Sequence, residues 1–114
     1  MSELIGIVRF KFHEGEVEKF KRLSAQCMEV VRTQDTGTLQ YDTYFNDDES
    51  EAVVIERYCD SEALIEHGEH MAPFMEPILA TATVEGELLG DLSPELRALM
   101  TGDQPQLFTL YASL

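Results

Sequence analysis

The sequence predicts an α+β protein in which an antiparallel sheet carries its helices on one face. Three observations support this class. The 114 residues are enough for one domain with its own core, several segments have the aromatic and β-branched composition of strands, and stretches between them have apolar residues at helical spacing. The segments follow one another as β-α-β-β-α-β, which is the ferredoxin-like, split βαβ order.

The first strand and the first helix are predicted near the N-terminus. Residues 4–12 are apolar on both sides at first and then alternate, as in a central strand near its end. Residues 16–33 have the clearest helical pattern, because their apolar residues share one face. That face consists of Phe20, Leu23, Cys27, Val30 and Val31.

A hairpin is predicted next. Residues 37–46 are rich in aromatic and β-branched residues, and residues 52–59 resume that pattern. The acidic run at 47–51 indicates a solvated turn between the two strands. We expect Asp42 to lie opposite Arg57, since this register keeps like charges apart across the strands.

A broken helix and a fourth strand are predicted after the hairpin. Asp60 or Ser61 can cap the first turn of the helix by accepting free backbone N–H groups. A break is expected at residues 68–72, after which Pro73 suits the first turn of a new helix. Residues 81–89 have the composition of the fourth strand.

The last part of the chain predicts a short helix and a tail. Ser93 is the expected cap, and Pro94 suits the first helical position. Residues 106–114 are apolar and are expected to be extended. We therefore expect residues 1–90 to form the main ferredoxin-like domain and residues 91–114 to be a C-terminal extension of the same domain.

Alternation places apolar side chains on both faces of the predicted sheet. One face carries Tyr41, Thr43 and Phe45, and the other carries Tyr44, Val53 and Ile55. Helices cover only one face, so the other needs a cover, and closed two-fold dimers are the commonest oligomers. We therefore expect a homodimer.

The composition excludes several classes of partner. Eight Lys plus Arg residues against 22 Asp plus Glu residues leave a net charge of -14, which repels phosphate backbones and anionic lipids. No apolar run approaches the ~20 residues that span a bilayer, and the N-terminus lacks the pattern of a secretory signal. We expect a cytoplasmic protein that binds neither nucleic acid nor membranes, with Cys27 and Cys59 reduced.

His67 is the strongest candidate for a functional residue. It shares one face of its predicted helix with Leu64 and Met71. An imidazole takes and releases a proton near neutral pH, so a histidine on an apolar face is a candidate general base.

The hairpin and the following helix also carry a recognisable pattern. Its parts are Gly37-Thr38-Leu39-x-Tyr41, Ile55-Glu56-x-Tyr58-x-Asp60-x-x-Ala63-Leu64 and His67. In these segments the chain resembles the antibiotic biosynthesis monooxygenase family. The resemblance, which extends from about residue 4 to residue 89, implies a dimeric α+β barrel. It also implies one of the family's activities, which are cofactor-independent oxygenation of phenols and quinols, heme degradation and isomerisation of a phosphorylated signal.

Two departures from the family pattern narrow these activities. Tyr58 stands where the family usually has Trp, and the chain contains no Trp. Ala72 stands where a second histidine is often found, with His70 the nearest substitute. Heme degradation is therefore disfavoured, and we expect neither a bound cofactor nor a metal.

The candidate site joins His67 to the hairpin. We expect His67 to be the catalytic base that deprotonates a small aromatic substrate, a quinol or phenol, whose anion then reacts directly with O2. The expected substrate-binding residues are Tyr41, Tyr58, Arg9, Glu56, Met71 and Phe74. A non-oxidative isomerase or tautomerase on the same fold stays open, as does a non-catalytic ligand-binding module with a closed interior.

Some of these residues also have a structural interpretation. His67 is consistent with a core histidine whose ring nitrogens are satisfied by backbone or by a carboxylate. Glu56 is consistent with a partner of Arg9 or an anchor for a helix cap, because a carboxylate in an apolar strand is costly unless paired. His67 and His70, three residues apart, are weak support for a metal site without a firm third ligand.

Overall fold

The computed structural model of the chain describes residues 2–114; Met1, the first residue of the predicted main domain, lies outside this range. The elements are β1 (Leu4–Phe12), α1 (Val17–Gln34), β2 (Thr38–Phe45), β3 (Glu51–Tyr58), α2 (Ser61–Leu79), β4 (Ala82–Leu89), α3 (Pro94–Leu99) and β5 (Gln106–Phe108). The first six elements follow the predicted β-α-β-β-α-β order, and the α+β class is confirmed.

The strands form one sheet in the order β2-β3-β1-β4-β5. The β1 strand is central and pairs antiparallel with β3 and with β4. The β5 strand, which the sequence predicts only as part of an extended tail, adds to the edge by pairing parallel with β4. The sheet is therefore mixed rather than purely antiparallel.

The hairpin register differs from the prediction by two residues. Asp42 lies opposite Ile55, and Tyr41 lies opposite Glu56. This pairing also keeps Asp42 away from Glu56, because their side chains point to opposite faces. A shift of two residues preserves the faces, so the predicted division of apolar residues holds.

The second helix is continuous, and the predicted break at residues 68–72 is wrong. Ser61–Leu79 is one helix that contains both Pro73 and Pro77. Its first turn is capped by Asp60, whose side chain accepts a hydrogen bond from the Ala63 N–H. Pro73 lies on the exposed side, where the carbonyl that loses its partner can bond to water, and packing of the opposite face keeps the helix intact.

Both long helices cover the same face of the sheet, and α1 and α2 pack against each other. The core beneath them includes Phe10 of β1, Phe20 of α1 and Val54 of β3. Within residues 2–114, none of the helices is both long and apolar enough to cross a bilayer.

Candidate active site

A cavity of about 370 Å³ lies between the two long helices and the covered face of the sheet. Its volume falls within the range of about 300–1,000 Å³ that is usual for ligand sites. Most of its lining is apolar, and the polar or ionisable side chains that reach it are those of Ser24, Cys27, Tyr41, Thr43, Glu56 and His67. The non-catalytic alternative predicted a closed interior beside His67, and this cavity contradicts the closed interior, though not the binding of a ligand.

Asp35 holds two histidines of α2 at the end of α1. Its carboxylate oxygens lie 2.7 Å from Nδ1 of His67 and 2.5 Å from Nδ1 of His70. The Thr38 hydroxyl donates a third hydrogen bond at 2.6 Å. Only 1% of the Asp35 side chain is exposed. Burial raises the pKa of Asp35, but the hydrogen bonds from Thr38, His70 and His67 outweigh this effect and lower the pKa below its ordinary value.

This contact orients the His67 ring. An ionised Asp35 only accepts hydrogen bonds, so Nδ1 of His67 carries the proton and Nε2 is the basic atom. The ring contacts Tyr41 and Tyr58 in tilted orientations, and the centroids of their rings lie 5.4 Å and 5.2 Å from its own. Within residues 2–114, Nε2 of His67 has no hydrogen-bond partner. It is also not a fully buried atom, because no buried side-chain nitrogen or oxygen of the described residues lacks a partner. Nε2 is therefore available to a molecule in the cavity.

Glu56 brings a carboxyl group to the same cavity from β3. Burial raises the pKa of Glu56, and the hydrogen bond donated by the Tyr58 hydroxyl offsets only part of the rise. Tyr58 is fully buried, and its own pKa is raised by burial and by the Glu56 charge. Tyr41, which lies opposite Glu56 in the hairpin, has a pKa raised by the same two causes. Both tyrosines are therefore neutral hydroxyl groups at physiological pH.

Cys27 of α1 also lines the cavity but is not an activated nucleophile. Burial, with a further contribution from the Glu56 charge, raises the pKa of its thiol to about 11. A thiol of this kind is protonated at neutral pH and behaves as a small apolar side chain. This agrees with the prediction that Cys27 is a reduced packing residue.

The structure brings most of the predicted site residues together. Those that line the cavity are His67, Tyr41, Glu56, Met71 and Phe74. Tyr58 does not line the cavity: its hydroxyl donates to Glu56, and its ring contacts the His67 ring at a tilt of 54°.

Arg9 does not join this group. Its neighbours Val8 and Phe10 line the cavity, so alternation along β1 points Arg9 to the opposite face of the sheet. There Arg9 forms an ion pair with Glu87 of β4, and it is neither a partner of Glu56 nor a ligand of this cavity.

Asp35 is a site residue that was not among the predicted ones. It lies in the short polar link between α1 and β2, and nothing local distinguishes it from a solvated loop residue. The available signal was the pair His67 and His70, which lie three residues apart on one helix face, so that one acidic side chain from a neighbouring element can contact both rings.

One group of side chains has the spacing of metal ligands. Single ligand atoms of Asp35, Glu66 and His70 all lie within 4.8 Å of one another. These atoms already bond to protein groups, however. Glu66 accepts from the backbone N–H and the hydroxyl of Thr36, and Asp35 accepts from His70. We therefore interpret the group as a hydrogen-bond network that ties α1 to α2.

The family model for antibiotic biosynthesis monooxygenase matches residues 4–72. No curated protein matches the sequence significantly. Among solved structures, MupZ from Pseudomonas fluorescens superimposes with a TM-score of 0.82 at 23% identity, covering 98% of this chain and 88% of that chain. Rv0793 from Mycobacterium tuberculosis superimposes with a TM-score of 0.70 at 25% identity, covering 80% of this chain and 96% of that chain. SnoaB, a cofactor-independent oxygenase from Streptomyces nogalater, superimposes with a TM-score of 0.67 at 20% identity, covering 75% of this chain and 89% of that chain.

These likenesses to solved structures support the fold, and the family follows from the match of the family model over more than half of the chain. The matched part contains α1, the hairpin and the first half of α2, and it includes Asp35, Glu56 and His67. The chain belongs to the antibiotic biosynthesis monooxygenase family.

Proposed function

We propose that this chain is an enzyme that deprotonates a small aromatic molecule, a quinol or phenol, through Nε2 of His67. The observation that carries the proposal is the His67 ring in the wall of an apolar cavity, with Nδ1 held by an ionised Asp35. A base needs this arrangement, because the carboxylate fixes the tautomer and stabilises the imidazolium that forms.

The proposed chemistry is a cofactor-independent monooxygenation. Once the phenolic proton moves to Nε2, the electron-rich anion transfers an electron to O2 in the cavity. The radical pair recombines at a ring carbon that carries hydrogen, and the peroxide so formed takes the proton from Nε2. His67 then removes the hydrogen of that carbon as a proton and the O–O bond breaks. One oxygen atom stays in the product as a carbonyl, and the other leaves as hydroxide, which takes up that proton to form water. The apolar lining favours this step because it excludes bulk water and keeps the aromatic ring against the base.

Glu56 and Tyr41 are the proposed polar contacts of the substrate. Burial raises the pKa of Glu56, so its neutral form can donate a hydrogen bond to a substrate oxygen. Tyr41 lies opposite Glu56 and also lines the cavity. Met71 and Phe74 of α2 supply apolar surface for the ring.

A second candidate, a non-oxidative isomerase or tautomerase, is favoured by one observation. A base on α2 and an acid on β3, His67 and Glu56, reach the same cavity. Such a pair can remove a proton at one atom of a substrate and return a proton at another. This reaction consumes no O2, and that difference separates the two candidates.

The test is oxygen uptake by the full chain with 1,4-naphthohydroquinone and related quinols. We expect uptake above the uncatalysed rate for the wild type and its loss in His67→Ala. His13→Ala is the matched control, because His13 is exposed and lies outside the cavity. Full uptake by the His67→Ala variant would remove the base assignment, and turnover without uptake would select the isomerase.

We further propose that the chain works as a homodimer through the open face of the sheet. Part of this face is an apolar strip across β2, β3 and β1, since Ile7 lies opposite Ile55 and Val53 lies opposite Tyr44, while Arg9 and Glu87 form an ion pair on the same face. Tyr44 is 54% exposed. An exposed apolar strip with charged groups around it is a usual mark of a protein interface.

A further inference from the structure

The cavity has one wall that comes from the C-terminal extension. Pro105 lines it beside Val84 of β4 and the end of α2, at Ile78 and Leu79. The family match ends at residue 72, so this wall lies outside the part of the chain that defines the family. We propose that Pro105 sets the size of the ring system that the cavity accepts; this rests on the proposed function, because it names the substrate-selecting part of the same site.

Hydrogen bonds fix the segment that carries Pro105. The Gln104 side-chain oxygen accepts a hydrogen bond from the Gly86 N–H at 2.7 Å. Immediately after Pro105, β5 pairs with β4, and the Gly90 N–H donates to the Phe108 carbonyl at 2.8 Å. Leu107 packs against the core residues around Leu4 and Tyr58. Pro105 is therefore held on both sides and forms a fixed wall.

Gly86 makes room for this wall. It faces inward on β4 between Val84 and Leu88, where a side chain would normally fill the space above the sheet. A Cβ atom at position 86 would lie 3.7 Å from Cβ of Pro105 and 3.2 Å from the Ile7 carbonyl oxygen. Pro105 thus lies within van der Waals reach of position 86, where a side chain longer than a methyl group would meet it, and it supplies apolar surface to the cavity.

The wall lies away from the proposed chemistry. Glu56 is on β3, Gly86 is on β4, and β1 separates them, so the two positions are about two strand spacings, roughly 10 Å, apart. A ring system that is held by His67 and Glu56 and extends across β1 would reach Pro105 at its far end. Shortening the Pro105 side chain should therefore change which ring size fits, while the acid and the base stay in place.

The test is the affinity of the full chain for 1-naphthol and for 9-phenanthrol, which has one ring more, measured by isothermal titration calorimetry. We expect Pro105→Ala to shift the ratio of the two dissociation constants toward 9-phenanthrol by about tenfold or more, since one methylene group more or less in an apolar pocket changes discrimination by about 10–200-fold. Pro105→Phe should shift it the other way. Pro94→Ala is the matched control, because Pro94 is an exposed proline of the same extension that does not line the cavity.

An unchanged ratio in both Pro105 variants, with unfolding temperatures close to that of the wild type, would overturn the proposal.

A second probe separates this result from failure of the proposed function. If the wild type binds neither phenol, the phenolic substrate class fails, and the fluorescence of the neutral probe N-phenyl-1-naphthylamine then tests the wall alone. Loss of probe binding in Pro105→Phe but not in Pro94→Phe supports the wall, and equal binding by both, or no binding by the wild type, overturns it.

Discussion

Asp35 and His67 are 32 residues apart in the sequence, yet Oδ2 of Asp35 lies 2.7 Å from Nδ1 of His67. The contact depends on the end of α1 meeting the middle of α2. It decides which nitrogen of His67 is basic, and therefore whether the ring can act on a molecule in the cavity.

Asp35→Asn should remove this control. An asparagine amide can donate toward Nδ1 and favour the other tautomer, so we expect a loss in kcat of about 100-fold, with a smaller change in KM. The ¹⁵N chemical shifts of His67 give a readout that needs no substrate, because they distinguish a protonated Nδ1 from a protonated Nε2. Asp42→Asn, at an exposed carboxylate, is the control; unaltered His67 shifts in Asp35→Asn would contradict the assigned tautomer.

Asp35 should also contribute pH-dependent stability. Its pKa is lower in the folded protein than its ordinary value, so the folded state binds fewer protons than the unfolded state at acidic pH. The contribution is fully present above the unfolded pKa of about 3.9 and is lost as the pH falls through the folded value. Urea unfolding of wild type and Asp35→Asn should therefore give free energies that converge as the pH falls below about 4. A difference that stays constant down to acidic pH would refute this.

Glu56 should show the opposite dependence. Its pKa is raised in the folded protein, chiefly by burial, so its contribution to stability is present below the unfolded pKa of about 4.3 and decreases as the pH rises toward the folded value. Glu56→Gln keeps the shape and the acceptor for the Tyr58 hydroxyl but cannot ionise. We expect the free energy of unfolding of this variant, measured relative to that of the wild type, to increase as the pH rises from acidic to neutral. Glu85→Gln, at an exposed position of β4, should show no such gain.

Local signals in the sequence account for most of the fold but only for part of the site. Asp60 and Ser93 do cap α2 and α3, as predicted, because each cap involves residues only three positions apart. The break expected at residues 68–72, before Pro73, is wrong, because packing of a whole helix face outweighs one missing hydrogen bond. Asp35 could not be assigned, since its partners belong to another helix.

Arg9 and the wall at Pro105 illustrate the same limit. Alternation along β1 separates Arg9 from Val8 and Phe10, but the sequence alone does not say which face the helices cover. Pro105 reaches the cavity only because β5 pairs with β4. That pairing involves a strand of three residues, too short to be recognised from composition.

The proposed dimer gives the last prediction. Val53 and Ile55 lie near the centre of the open sheet face, next to β1, and a charge at either position would have to lose its water in a closed interface. Burial of an unpaired charge costs several kcal/mol, so Ile55→Lys should dissociate the dimer without disturbing the cavity, which lies on the other face. Sedimentation velocity at micromolar concentration should give a dimer for wild type and for the control Gln26→Lys, on the exposed side of α1, and a monomer for Ile55→Lys. A wild-type chain that sediments as a monomer would exclude this interface, and the apolar face would then need another partner.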